Sequence, residues 1–204
     1  MLSGNAELVK LASVVPIGLQ EILMRKIALT GLVLLVTGAA LQAADTPGFP
    51  PPGKQHAWLQ KFVGTWEAEV EATVDPSQPP MKSKGTETSR MVGGFWLIAE
   101  GKNEAFPFSY VTTLGYDSSK QKYVGTWVDS MTDYLWTYEG SVDATGKILT
   151  METAGPCPLA PGKILKFRDV TEFKSPDHRI FTSAMQDEDG KWTTILTVNS
   201  RRKK

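Results

Sequence analysis

From Gly64 onward the chain runs on a period of two. Trp66, Ala68, Val70, Ala72 and Val74 alternate with Glu67, Glu69, Glu71 and Thr73, as in a strand with one face buried and one in water. Strand-like segments return over Lys82 to Val92, Phe95 to Asn103, Phe108 to Tyr116, Lys122 to Ser130, Tyr134 to Val142, Ile148 to Thr153, Ile164 to Phe173, Arg179 to Met185 and Lys191 to Asn199. Between them lie Gly93-Gly94, Asp117-Ser118-Ser119-Lys120, Asp143-Ala144-Thr145-Gly146, Ser175-Pro176-Asp177 and Asp187-Glu188-Asp189-Gly190, which carry turn chemistry. Ala154 to Gly162 (AGPCPLAPG) reads as a Pro-rich loop. Roughly ten strands joined mostly by short hairpins predict an all-β domain. An antiparallel up-and-down barrel leaves such a meander without edges; a two-sheet sandwich is the alternative. Before the strands, Trp58, Leu59, Phe62 and Val63 fall at helical spacing and Gly64 ends the run, so one short helix leads the barrel.

The segment before that helix has a different character. Met24-Arg25-Lys26, the apolar run Ile27 to Leu41, and Ala43-Ala44 have the layout of a secretory signal peptide. The run is shorter than the roughly 20 residues a spanning helix needs. The expected organisation is a start-site extension over 1–23, a signal peptide over 24–44, a Pro-rich linker over 45–53 and the barrel over 54–204. The product is then exported, to the periplasm or beyond, and meets a membrane only through its signal segment. An N-terminal membrane anchor is the alternative.

Charge and chemistry-bearing residues narrow the function. The 22 basic and 22 acidic residues cancel, which argues against nucleic acid as the main partner, because that binding runs on a basic surface. Two His and one Cys exclude an internal disulfide and leave too few ligands for a Cys/His zinc site. No metal or cofactor is expected. Cys157 has no local base to activate it. There is no Gly-x-Ser-x-Gly elbow, and His56 and His178 read as surface residues, so no catalytic residue is assigned. The basic tail Arg201 to Lys204 reads as frayed.

The helix followed by Phe62-Val63-Gly64-Thr65-Trp66 resembles the Gly-x-Trp opening of calycin barrels, which are the lipocalins, fatty-acid-binding proteins and nitrobindins. The resemblance implies that Trp66 plugs the closed end and that an Arg near the last strand packs over it. Arg201 or Arg202 fits that role, and Arg201 is taken as the candidate. The stretches HAWLQKFVGTWEAEVE, QPPMKSKGTETSRMVGGFWLIAEGK, TLGYDSSKQKYVGTWVDSM, LWTYEGSVDATGKILT and FRDVTEFKSPDHR are similar to a bacterial family of domains of unknown function. That likeness implies a fold and no activity. Nitrobindins hold haem with a His near the C-terminus, whereas His178 here lies in a Ser-Pro-Asp-His turn. Thr193 to Asn199 lacks the Arg-x-Tyr that holds the carboxylate in many fatty-acid binders.

Aromatic residues concentrate in the middle strands. Tyr134, Trp136 and Tyr138 share a face, as do Tyr123, Trp127 and Asp129, and Phe108, Tyr110, Leu114 and Tyr116. Aromatic walls with a few polar tips suit a small amphiphilic ligand, and a barrel of roughly ten strands has more interior than one of eight. Glu87, Glu100 and Arg168 are charges within strands, facing either a polar cavity or solvent. Asp129 either orients a ligand or opens the turn towards Asp133. The expected ligand-binding set is Trp127, Asp129, Tyr138, Tyr110, Glu100 and Arg168, with a small apolar or amphiphilic molecule as partner. Two alternatives stand: a filled barrel that binds a protein, and a hydrolase or isomerase working through Asp129 and Glu100.

Overall fold

The computed structural model describes residues 50–73, 77–157 and 160–204. The expected extension and signal segment lie outside the described residues. The strands are β1 (Gly64–Ala72), β2 (Met81–Val92), β3 (Trp96–Asn103), β4 (Ser109–Asp117), β5 (Lys122–Asp129), β6 (Trp136–Val142), β7 (Ile148–Cys157), β8 (Ala160–Ser175), β9 (His178–Gln186) and β10 (Trp192–Arg202). Each pairs antiparallel with its sequence neighbours, and β1 pairs with β10 from Trp66 opposite Arg202 to Ala72 opposite Leu196. The sheet is therefore a closed ten-stranded barrel.

The alternation in β1 sets the phase of the whole wall. Trp66 is fully buried, while Glu67, Glu69 and Glu71 are exposed. Glu71 meets Lys82 at 2.8 Å, and Glu67 meets Lys203 at 3.5 Å. Because side chains alternate strictly, the register carries this phase from strand to strand.

The helix α1 (Lys54–Trp58) continues as a 3-10 turn over Leu59–Phe62. Leu59 and Phe62 pack with Trp66, Leu97, Leu114, Tyr123, Leu149, Met151 and Phe173 into one apolar core. This core seals the barrel end from which β1 departs. The Trp58 indole donates to the Gly146 carbonyl at 2.9 Å, and the Tyr123 hydroxyl donates to the Gln55 carbonyl at 3.1 Å. His56 is buried, contrary to the surface position its sequence context suggested. Its Nδ1 accepts the Gly53 N–H at 3.1 Å, and its Nε2 lies 3.1 Å from the Tyr116 carbonyl oxygen. A histidine with both nitrogens occupied by backbone is a fastener.

Gly64 enters β1 at φ +123°, and a Cβ there would lie 2.7 Å from the Arg202 guanidinium. Arg202 itself covers Trp66 at 4.2 Å from the ring centre, donates to the Val63 carbonyl, and pairs with Asp177 at 3.0 Å. The residue over Trp66 is thus Arg202. Arg201 lies opposite Glu67 and points outward, because the alternation permits only one of two adjacent residues to face the lumen. The tail is not frayed at Arg201 and Arg202, which are strand residues.

The Pro-rich stretch is a hairpin and not a loop. Strand β7 runs to Cys157 and β8 starts at Ala160, while β9 ends at Gln186, opposite Lys166. Beyond Lys166 this hairpin has no partner in β9, and there the missing Pro N–H breaks no ladder with a third strand.

Candidate functional site

Following the register, one inward row runs Trp66, Glu87, Gly101, Tyr110, Asp129 across β1 to β5. It climbs from the sealed end to the open mouth, since barrel strands tilt against the axis. A second row runs Leu196, Ser183, Asp169, Met151, Gly140, Tyr123 across β10 to β5. These rows assemble the lumen.

Its floor is a saturated ion-pair network. Arg179 donates to Glu87 Oε1 at 2.6 Å, Ser89 donates to the same oxygen at 2.9 Å, and the Tyr110 hydroxyl donates to Oε2 at 2.7 Å. Tyr110 reaches Glu87 because Gly101 stands between them without a side chain; a Cβ there would lie 2.2 Å from the Tyr110 ring. The guanidinium of Arg179 lies 4.4 Å from the Trp66 ring centre, opposing burial with cation–π attraction. Burial pushes the Glu87 carboxyl up, but Arg179 and the hydroxyls outweigh it and hold it below the usual range. Burial, with Glu87 beside it, keeps the Tyr110 phenol protonated well above its ordinary value.

Above this floor, Tyr110 stacks on Trp127 with ring centres 4.0 Å apart. Trp127 donates to Asp129 Oδ2 at 3.2 Å, and Asp129 Oδ1 accepts from the Met131 and Thr132 amides at 2.8 and 2.9 Å. Asp129 therefore faces the lumen and also caps the turn that follows it.

The opposite wall carries Tyr138, Asp169 and Ser183, beside Trp136 and Phe167 in an edge contact at 5.2 Å. Burial lifts the Asp169 carboxyl to about 6, although hydrogen bonding from Ser183 and Tyr138 acts the other way. Burial first, then Asp169, drives the Tyr138 phenol far up. Oδ1 of Asp169 is the one buried side-chain polar atom without a hydrogen-bond partner among the described residues.

Tyr110, Trp127, Trp136, Tyr138, Asp169, Phe181 and Ser183 point inward and still keep partial contact with solvent. Water therefore reaches part of the upper lumen, while Phe167, Cys157 and Thr153 in the same half are buried. Exposed apolar residues stand at the mouth, among them Phe106, Met131 and Leu135.

Of the expected site residues, Trp127, Tyr110, Tyr138 and Asp129 share the lumen. Glu100 and Arg168 do not. Glu100 pairs across with Thr88 and faces outward, where it lines an open hollow of about 600 Å³ with Lys102, Val111 and Val128. Arg168 lies opposite Glu152, binds it at 2.8 Å on the outer wall, and covers Trp192 at 4.1 Å. Asp129 and Glu100 follow opposite phases of the alternation, and both border the open hollow. Asp169 and Arg179 were absent from the expected set. Phe167 and Phe173, two and four residues from Asp169, carry the signal that places it on the inner face. No cluster of three or more metal-binding side chains occurs among the described residues.

A family model described as "Protein of unknown function (DUF1579)" matches residues 51–202. No curated protein matches the chain. Among solved structures, the crystal structure of Rv2717c from M. tuberculosis is similar with a TM-score of 0.55 and 14% identity, over 74% of this chain and 99% of that one. A DUF3598-family protein of unknown function from Nostoc punctiforme gives 0.43 at 13% identity, over 77% of this chain and 53% of that one. The first likeness concerns the fold alone, and the second is too distant to carry an argument.

Proposed function

Because the chain belongs to the DUF1579 family of proteins of unknown function, we propose its role from the geometry: it holds a small apolar or amphiphilic molecule in the upper lumen, without catalysis, as an exported protein. The observation that carries this reading is the asymmetry of the interior. At the helix end Leu59, Trp66 and Leu97 are sealed from water. At the mouth end the inward Tyr110, Trp127, Trp136 and Tyr138 keep partial contact with it, while Phe167 beside them is buried. A barrel filled for stability alone has no use for half-wet aromatic rings, whose burial would add to the core. Aromatic walls with a few polar tips are instead the make-up of a small-molecule site.

Titration with Nile red, a neutral solvatochromic dye, tests the reading. Saturable binding is expected, and Trp127→Ala should weaken it roughly tenfold, as the loss of one ring contact of about 1–1.5 kcal/mol implies. Absence of saturable binding in the wild type, or unchanged affinity in a folded Trp127→Ala variant, would overturn it.

A further inference from the structure

The inward-facing charges define what kind of polar end the lumen accepts. Glu87 and Arg179 neutralise each other on the floor. Arg202 is occupied by Trp66, Asp177 and backbone carbonyls at the sealed end. The oxygens of Asp129 are taken up by the Trp127 indole and turn amides. Lys82, Lys84, Lys102, Lys122, Lys166 and Lys174 all alternate with inward residues, and Lys163, beyond the reach of β9, is exposed and paired with Glu188 at 2.5 Å. What is left is Asp169, buried on one oxygen, flanked by Tyr138 and Ser183, and aimed where no guanidinium or ammonium answers it. Resting on the lumen reading above, we propose that the ligand's polar end is a protonated amine, seated on Oδ1 of Asp169 with its apolar part along Trp127 and Tyr138.

The chemistry is selective in one direction. A cation gains a charge-assisted hydrogen bond from the free carboxylate oxygen and attraction from the surrounding ring faces. A ligand carboxylate would meet Asp169 as a like charge, with no uncommitted inward-facing cation among the described residues to receive it. An inorganic cation has a single uncommitted carboxylate oxygen here, and no cluster of three or more metal-binding side chains occurs among the described residues.

The test is isothermal titration of the full chain at neutral pH with octylamine, octanol and octanoate, which share one chain length. Octylamine is expected to bind at least roughly tenfold more tightly than octanoate, in keeping with the strength of a charge-assisted bond. Asp169→Asn should erase the difference between octylamine and octanoate. Octanoate binding as tightly as octylamine would overturn the amine assignment and leave the lumen reading standing. Binding of none of the three would remove the lumen reading, and this inference with it. The wild-type ratio decides the question even if the variant does not fold.

Discussion

Replacing Asp169 by Asn should make the ligand-free protein more stable at neutral pH. In the fold, burial raises the carboxyl to about 6, against an ordinary value of 3.8. Two units at about 1.4 kcal/mol each amount to about 3 kcal/mol. The groups acting on it are the Tyr138 and Ser183 hydroxyls, and neither is cationic. The raised value means that the fold binds the proton more tightly than the unfolded chain does. The penalty is therefore absent below about pH 4, grows between about pH 4 and 6, and stays constant above. Urea denaturation should show Asp169→Asn gaining up to about 3 kcal/mol at neutral pH and almost nothing near pH 4. Equal or lower stability at neutral pH, or a gain undiminished near pH 4, would refute the reasoning. A residue that costs stability and serves ligand affinity follows the usual trade-off at functional sites.

Other changes follow from the same geometry. Arg179→Ala should cost about 3–5 kcal/mol in urea denaturation, since it leaves the Glu87 carboxylate buried without its partner. Because Glu87 is held below the usual carboxylate range, the stability it contributes should be lost as the pH falls through its depressed pKa. Gly64→Ala should cost at least about 1 kcal/mol by thermal melting, through its positive φ and its contact with Arg202. Glu100→Ala and Arg168→Ala should leave dye affinity unchanged, because both side chains lie on the outer wall. Export is expected to yield a mature chain starting after Ala43 or Ala44, to be read by N-terminal sequencing of the secreted protein.

The barrel was legible because nearly every strand keeps its alternation and each turn has the residues it requires. The Pro-rich hairpin was not, since Pro and Gly mark loops unless a strand reaches beyond its neighbours, and only the β8–β9 register reveals that it does. The site was half legible. In β3 the apolar residues Leu97 and Ala99 fix the inward phase and turn Glu100 outward. In β8 Phe167 and Phe173 bring Asp169 in and send Arg168 out. Strand β2 offers no such guide, because Gly85, Thr86, Glu87, Thr88 and Ser89 are polar or small on both faces; only its pairing with Trp66 decides that Glu87 is buried. The choice between Arg201 and Arg202 likewise depends on one residue of register against β1.

The central claim is that the upper lumen holds a small molecule. Native mass spectrometry of the protein, purified gently and without detergent, tests it most directly. The account predicts a bound mass that organic extraction removes, or that returns on incubation with a mixture of lipids and metabolites. A bare mass under both conditions would contradict it and leave a filled barrel whose partner is another protein.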